Sequence, residues 1–114
     1  MKKSEIKLII ELDDKNVPQS IQWDATDKPN PGPEETRAFA LSLWDHKQNN
    51  ALRMDLWGTE MSVEEMRMFV VNSIGGLGET LKSATSDTKM CDEINECCQK
   101  LVKIIDERNK SNQN

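Results

Sequence analysis

The hydrophobic pattern of this 114-residue chain changes its period once. Up to Trp57, apolar residues recur at every second position, which is typical of strands with one solvent-facing side. From Ser62 onward they recur at spacings of three and four residues, which is typical of amphipathic helices. The length is about the modal size of one domain. We therefore predict one α+β domain over residues 1–106, with a four-stranded antiparallel β-meander followed by two α-helices packed on one of its faces.

Two strands are predicted before residue 30. Alternation over Glu5–Leu12 predicts the first strand, and Asp13–Asn16 supplies turn-forming residues. A second extended segment covers Val17–Ala25. Asp27–Pro33 then contains three prolines and a glycine, which excludes regular structure and predicts a stiff loop inside the domain.

Two further strands, Thr36–Asp45 and Ala51–Trp57, are predicted to pair as a hairpin. A slip of one residue would exchange the two faces, so the register must keep the apolar residues together. Pairing His46 with Ala51 meets this condition and makes Lys47–Asn50 a four-residue loop. The predicted core face then consists of Phe39, Leu41, Leu43, Leu52, Met54 and Leu56.

The same register places two tryptophans and an arginine on the outer face of the hairpin. Trp44 falls opposite Arg53, and Trp57 falls opposite Ala40. Tryptophan and arginine are the residue types most enriched at binding hot spots, which makes Trp44, Arg53 and Trp57 candidate partner-binding residues. Two structural alternatives remain open: Arg53 stacks over an indole ring, or the loop Pro29–Pro33 folds over the rings.

The second half of the chain predicts two helices. Ser62–Glu65 fits the S-x-x-E capping box, which marks a helix start. Three glycines within Gly75–Gly78 predict either a kink or close packing against the sheet or another chain, since the segment lacks the ending of a phosphate-binding loop. A polar linker, Ser83–Thr88, precedes a second helix over Met90–Asp106. Residues 107–114 offer nothing to bury and predict a flexible C-terminal tail.

The composition argues against several classes of partner. The 20 acidic residues exceed the 15 basic ones, so the net charge of -5 gives no general attraction to nucleic acid or to an anionic membrane. No apolar block long enough for a signal peptide or a membrane span follows Met1. We therefore predict a cytoplasmic protein with no integral membrane segment and no nucleic-acid partner.

The residues of catalysis and metal binding are nearly missing. His46 adjoins Asp45, but neighbours in a strand point to opposite faces and cannot form a base and its orienting group. Cys91, Cys97 and Cys98 lack the spacing of a zinc site and are predicted to be free thiols that fill the helix core. We predict no catalytic residue, no metal and no cofactor.

Several short blocks are spread, in a fixed order, along nearly the whole chain: Met1–Lys7, Glu11–Asp13, Ile21–Asp27, Leu41–Asp45, Leu52–Trp57, Met61–Met68 and Gly75–Leu77. Together these blocks resemble the gliding motility protein GldC family. The resemblance implies a small cytoplasmic accessory protein of the gliding machinery of surface-moving bacteria, and it supplies no active-site residues.

From the residues and the resemblance together, we predict a non-catalytic protein-protein interaction module that binds another motility or secretion component. The contact would use the Trp44, Arg53 and Trp57 face, an exposed strand edge, or a self-association surface near Gly75–Gly78. The alternatives are a small-molecule-binding protein or enzyme with a pocket between sheet and helices, and a homo-oligomer with a structural role.

Overall fold

The computed structural model describes residues 1–112 of the chain. It contains two compact units, one over Met1–Ser62 and one that begins at Val63. The first unit contains five β-strands and the second contains two α-helices, so the predicted α+β class is confirmed. The single domain predicted over residues 1–106 stays a prediction.

The first sheet has three antiparallel strands in the order β1, β2, β3: Ile6–Leu12, Pro18–Ala25 and Glu34–Thr36. The register sets Leu8 opposite Trp23 and Ile10 opposite Ile21, so the predicted alternation produces one apolar face. Ile21 is buried at its centre. The turn before β2 forms because Asp13 Oδ1 accepts hydrogen bonds from the Lys15 and Val17 amides.

A single four-stranded meander was predicted, and that prediction is wrong. The predicted strand Thr36–Asp45 is interrupted at Arg37, and its longer part, β4 (Ala38–Asp45), pairs with β5 (Asn50–Trp57) in a separate two-stranded sheet. The cause lies in the register of β2 with β3, in which Thr36 pairs with Ile21. Beyond this pair only three residues of β2, starting at Pro18, are left for a longer strand to pair with. Because the eight-residue β4 would extend beyond β2, the chain turns away there. The Arg37 carbonyl instead accepts a hydrogen bond from the Gly58 amide at 2.9 Å.

The hairpin register also differs from the prediction. Asp45 pairs with Asn50, whereas His46 was predicted to pair with Ala51. The turn explains the difference, because Asp45 Oδ1 accepts a hydrogen bond from the Lys47 amide and Asn49 adopts a left-handed φ of 54°. Every cross-strand partner moves by two residues, so each face keeps its predicted members.

The second unit is an antiparallel helix hairpin of α1 (Val63–Thr85) and α2 (Thr88–Asn112). Helix α1 begins directly after Ser62, as the S-x-x-E sequence predicts. The predicted linker Ser83–Thr88 is reduced to Ser86 and Asp87, since Ser86 takes a φ of 59° and Asp87 Oδ1 caps α2 by accepting the Met90 amide. Helix α2 continues through the predicted tail to Asn112; residues 113 and 114 lie outside the described residues, and flexibility of the tail stays a prediction.

The two helices come close together at Gly78. A Cβ atom there would lie 2.9 Å from Ile94 Cγ2, so the glycine segment packs closely against α2 at this residue, while its approach to the sheet or to another chain stays a prediction. Cys91, 2% exposed, and half-buried Cys98 lie among the packed side chains, as predicted. Cys97 is exposed, which corrects its predicted place in the core.

Candidate interaction surface

The tryptophan face is the side of the β4–β5 hairpin that carries both exposed tryptophans. Alternation along the two strands places eight side chains on it. At one end Trp44 pairs with Ala51, and at the other end Trp57 pairs with Ala38. The members of the tryptophan face are Ala38, Ala40, Ser42, Trp44, Ala51, Arg53, Asp55 and Trp57.

Both tryptophans of this face are largely open to solvent. Trp44 is 67% exposed and Trp57 is 58% exposed. The loop Pro29–Pro33 therefore does not cover them, and that structural alternative is wrong. Indole rings left in water on one face of a sheet are typical of a binding surface, since large apolar side chains otherwise tend to be covered.

Arg53 lies between the tryptophans and is held by polar neighbours. Its Nη2 and Nε donate to the two carboxylate oxygens of Asp55 at 2.9 and 3.4 Å, and its Nη1 donates to Ser42 Oγ at 3.2 Å. Ser42 is also its cross-strand partner, whereas Trp44 was predicted to be. The guanidinium plane is thus fixed by a two-point contact with a carboxylate.

The two indole rings lie far apart on the tryptophan face. Trp57 lies level with Ala38, six residues along β4 from Trp44, so the rings are about 20 Å apart at the usual rise of a strand. The polar group of Ser42, Arg53 and Asp55 occupies the space between them. A ligand that covers both rings must therefore be longer than a typical metabolite and must satisfy charged groups at its centre.

The third tryptophan belongs to the first sheet and is covered. Lys28 Nζ lies 4.8 Å from the centre of the Trp23 ring and 2.9 Å from Glu34 Oε1. The Lys28 side chain is only 2% exposed, so the proline-rich loop is anchored on the apolar face of β2 and β3. This cluster was not predicted from the sequence, where its signal is a lone lysine inside the proline-rich loop, six residues before a glutamate.

The opposite side of the hairpin is less buried than the prediction of a core face requires. Phe39, Leu41 and Leu56 are half-buried, but Leu43, Leu52 and Met54 are exposed. The hairpin therefore presents apolar side chains on both faces. A two-stranded sheet of this kind is stable only when something else packs against it.

The first unit has a groove of about 440 Å³ near the start of β2, lined mainly by polar residues. Glu35, Arg37 and Glu60 are among its lining residues. His46 lies outside it, exposed in the hairpin turn. Among residues 1–112, no three histidine, cysteine or acidic side chains are grouped so that they could hold a metal ion.

Comparison with protein families places the chain in a known family. The family model described as gliding motility-associated protein GldC-like matches residues 18–107, which covers most of the chain, from β2 into α2. The chain belongs to the GldC-like family. This confirms the resemblance drawn from the short sequence blocks and associates the chain with gliding motility.

The segment matched by the GldC-like family includes Trp44, Arg53 and Trp57. Searches of curated proteins and of solved structures returned no match. Neither of the two helices, as far as Asn112, combines the length and the apolar character that crossing a membrane requires.

Proposed function

We propose that this GldC-like chain is a cytoplasmic, non-catalytic accessory protein of the gliding machinery that binds a protein partner through the tryptophan face. The partner would be another motility or secretion component. The observation that carries the proposal is the exposure of Trp44 and Trp57 on one face, with Arg53 between them. The association with gliding motility rests on family membership, and the proposed protein binding rests on the tryptophan face.

The energetics of binding favour such a face. Truncation of a well-packed hot-spot tryptophan or arginine typically costs a complex about 2 kcal/mol or more. Arg53 is already oriented by Asp55 and Ser42, so it loses little conformational entropy when a partner contacts it. The arginine at the centre of the tryptophan face is therefore preorganised for binding.

The spacing of the anchors indicates the shape of the partner. Two apolar pockets about 20 Å apart would receive the rings, and polar groups between them would face Arg53 and Asp55. An extended segment of about six residues spans this distance. A folded surface with two shallow pockets would span it equally well. Both occupants are proteins, because a small metabolite cannot contact both rings.

The test is capture of the partner from gliding cells by the immobilised chain. The double variant Trp44→Ser/Trp57→Ser should keep its helical and strand signal in circular dichroism and lose the captured partner. Ile9→Ser is the matched control, because Ile9 is also an exposed apolar strand residue but lies in the other sheet. Equal capture by the double variant and the wild type would contradict the proposal.

The alternative function is binding of a small molecule, and the polar groove lined by Glu35, Arg37 and Glu60 is the observation that favours it. A metabolite that raises the melting temperature of the purified chain without any protein present would support this alternative. Under our proposal the purified partner raises the melting temperature, and the double tryptophan variant loses that increase.

A further inference from the structure

The helix hairpin carries an exposed apolar strip that the interaction between α1 and α2 does not use. Six residues form it, three on each helix, and within each helix they are spaced by seven residues. All six are exposed. We call them the heptad strip: Val63, Val70 and Leu77 on α1, and Met90, Cys97 and Ile104 on α2.

Both halves of the heptad strip lie on the same side of the helix hairpin. Val71 and Cys98 face each other across the hairpin, with Cys98 Sγ 3.7 Å from the Val71 carbonyl oxygen. Val70 and Cys97 each precede one of these residues, and successive residues of an α-helix are about 100° apart. Because the helices are antiparallel, this rotation turns both strip residues toward the same side. The two halves of the strip therefore share one side of the helix hairpin.

We propose that a second copy of this chain covers the heptad strip, so that two helix hairpins form an antiparallel four-helix bundle. In helices that pack along one another, each apolar position of the contact recurs every seven residues, as the members of this strip do. A helix hairpin with one open apolar side is half of such a bundle. This proposal concerns the helical unit and does not rest on the function proposed for the tryptophan face.

The area of this side suits a stable dimer. Helix α1 has 23 residues, so the paired helices are about 35 Å long and, side by side, about 20 Å wide. A face of about 700 Å² is close to the roughly 800 Å² that each protein contributes to a standard interface. Apolar side chains occupy its centre, which is the usual pattern of an interface core.

The charges beside the strip select an antiparallel self-pairing. Glu93 and Lys100 lie on the outer side of α2, next to Cys97. When α2 of each copy packs against the other in opposite directions, Glu93 of each copy faces Lys100 of the other, which forms two ion pairs. A parallel arrangement would place like charges together. Lys100 Nζ already lies 3.4 Å from Glu96 Oε1 within its own helix. Because this exposed ion pair is weak, Lys100 can leave it and pair with Glu93 of the second copy.

The first experiment measures molecular mass in solution as a function of protein concentration. The wild type should reach twice its chain mass of 13.0 kDa, and Val70→Glu/Leu77→Glu should remain monomeric. Asn72→Glu, exposed on the other side of α1, is the matched control and should still dimerise. A wild type that stays monomeric at every concentration, or a strip variant that dimerises like the control, would overturn the proposal.

A charge-reversal cycle tests the pairing without touching the apolar strip. Glu93→Lys and Lys100→Glu should each raise the dimer Kd about tenfold, since each converts two attractions into repulsions. The variant with both reversals should return close to the wild-type Kd. Single effects that simply add in the double variant would refute the antiparallel arrangement.

The wild-type chain offers a third measurement through its exposed thiol. Cys97 lies at the centre of the strip on α2, so its alkylation rate should fall as concentration drives dimerisation. Cys91 is buried within the hairpin and serves as the reference for local opening. A Cys97 rate independent of protein concentration would contradict coverage by a second copy.

Discussion

At the scale of single residues, the glycines of α1 show what a local sequence signal can and cannot establish. Three glycines in a helix predict that some backbone must come close to a neighbour. The structure assigns that role to Gly78, which meets Ile94, while a Cβ on Gly76 would meet nothing within 4 Å. The sequence was sufficient to predict close packing somewhere in the glycine segment. Which of the glycines packs closely depends on how the two helices face each other.

The contrast between these glycines makes a prediction. Gly78→Ala should lower the free energy of unfolding by about 1–2 kcal/mol, because overpacking against the stiff Ile94 side chain exceeds the gain in helix propensity. Gly76→Ala should raise it by about 0.5–1 kcal/mol. Urea denaturation of both variants checks the pair. Equal effects of the two substitutions would contradict the close approach at Gly78.

Asn49 makes the second prediction at this scale, because its φ of 54° lies in the left-handed region. Asn49→Ala should destabilise the chain by about 1 kcal/mol, since an alanine is strained there. Asn49→Gly should be neutral or slightly stabilising, because glycine adopts this conformation freely. Thermal unfolding of both variants measures the difference in stability. An alanine variant as stable as the glycine variant would contradict a left-handed conformation at residue 49.

At the scale of elements, periodicity predicted where strands and helices lie but not how the strands divide into sheets. The apolar alternation of β1 and the cap residue Ser62 act through their immediate neighbours, so the sequence alone was sufficient. The split at Arg37 and the hairpin register depend on the length of β2 and on the turn bonds of Asp45. These are relations between segments, and a period of two residues carries no information about them.

The proline-rich loop gives the prediction that belongs to this scale. Its attachment to the first sheet depends on Lys28, whose buried ammonium is paired with the more exposed Glu34. Glu34→Gln should therefore destabilise the chain by about 1–3 kcal/mol, because it leaves a buried charge without its counterion. Lys28→Met should cost less, since the new side chain still covers Trp23 and Glu34 can be solvated. Chemical denaturation measures the free energy of unfolding of both variants. A Lys28→Met variant less stable than the Glu34→Gln variant would contradict this anchoring of the loop.

At the scale of the whole molecule, the chain carries two apolar surfaces of different design. The tryptophan face places two large rings about 20 Å apart around a fixed arginine and suits a heterologous partner. The heptad strip repeats small and medium side chains at helical spacing and suits a copy of itself. The tryptophans were predicted as site residues from the sequence. The heptad strip was not predicted. The apolar spacing of three and four residues gives each helix one apolar stripe, and it does not reveal which part of that stripe the neighbouring helix covers.

Because the two surfaces lie on different units, their functions should separate. Trp44→Ser/Trp57→Ser should abolish partner capture while the chain still dimerises with the wild-type Kd. Val70→Glu/Leu77→Glu should be monomeric and still bind the partner, with a weaker apparent affinity on a surface coated with partner, because bivalent attachment is lost. Binding of the soluble partner, measured by calorimetry, should keep its affinity per chain in this monomeric variant. Loss of both activities in either double variant would show that one surface performs both tasks.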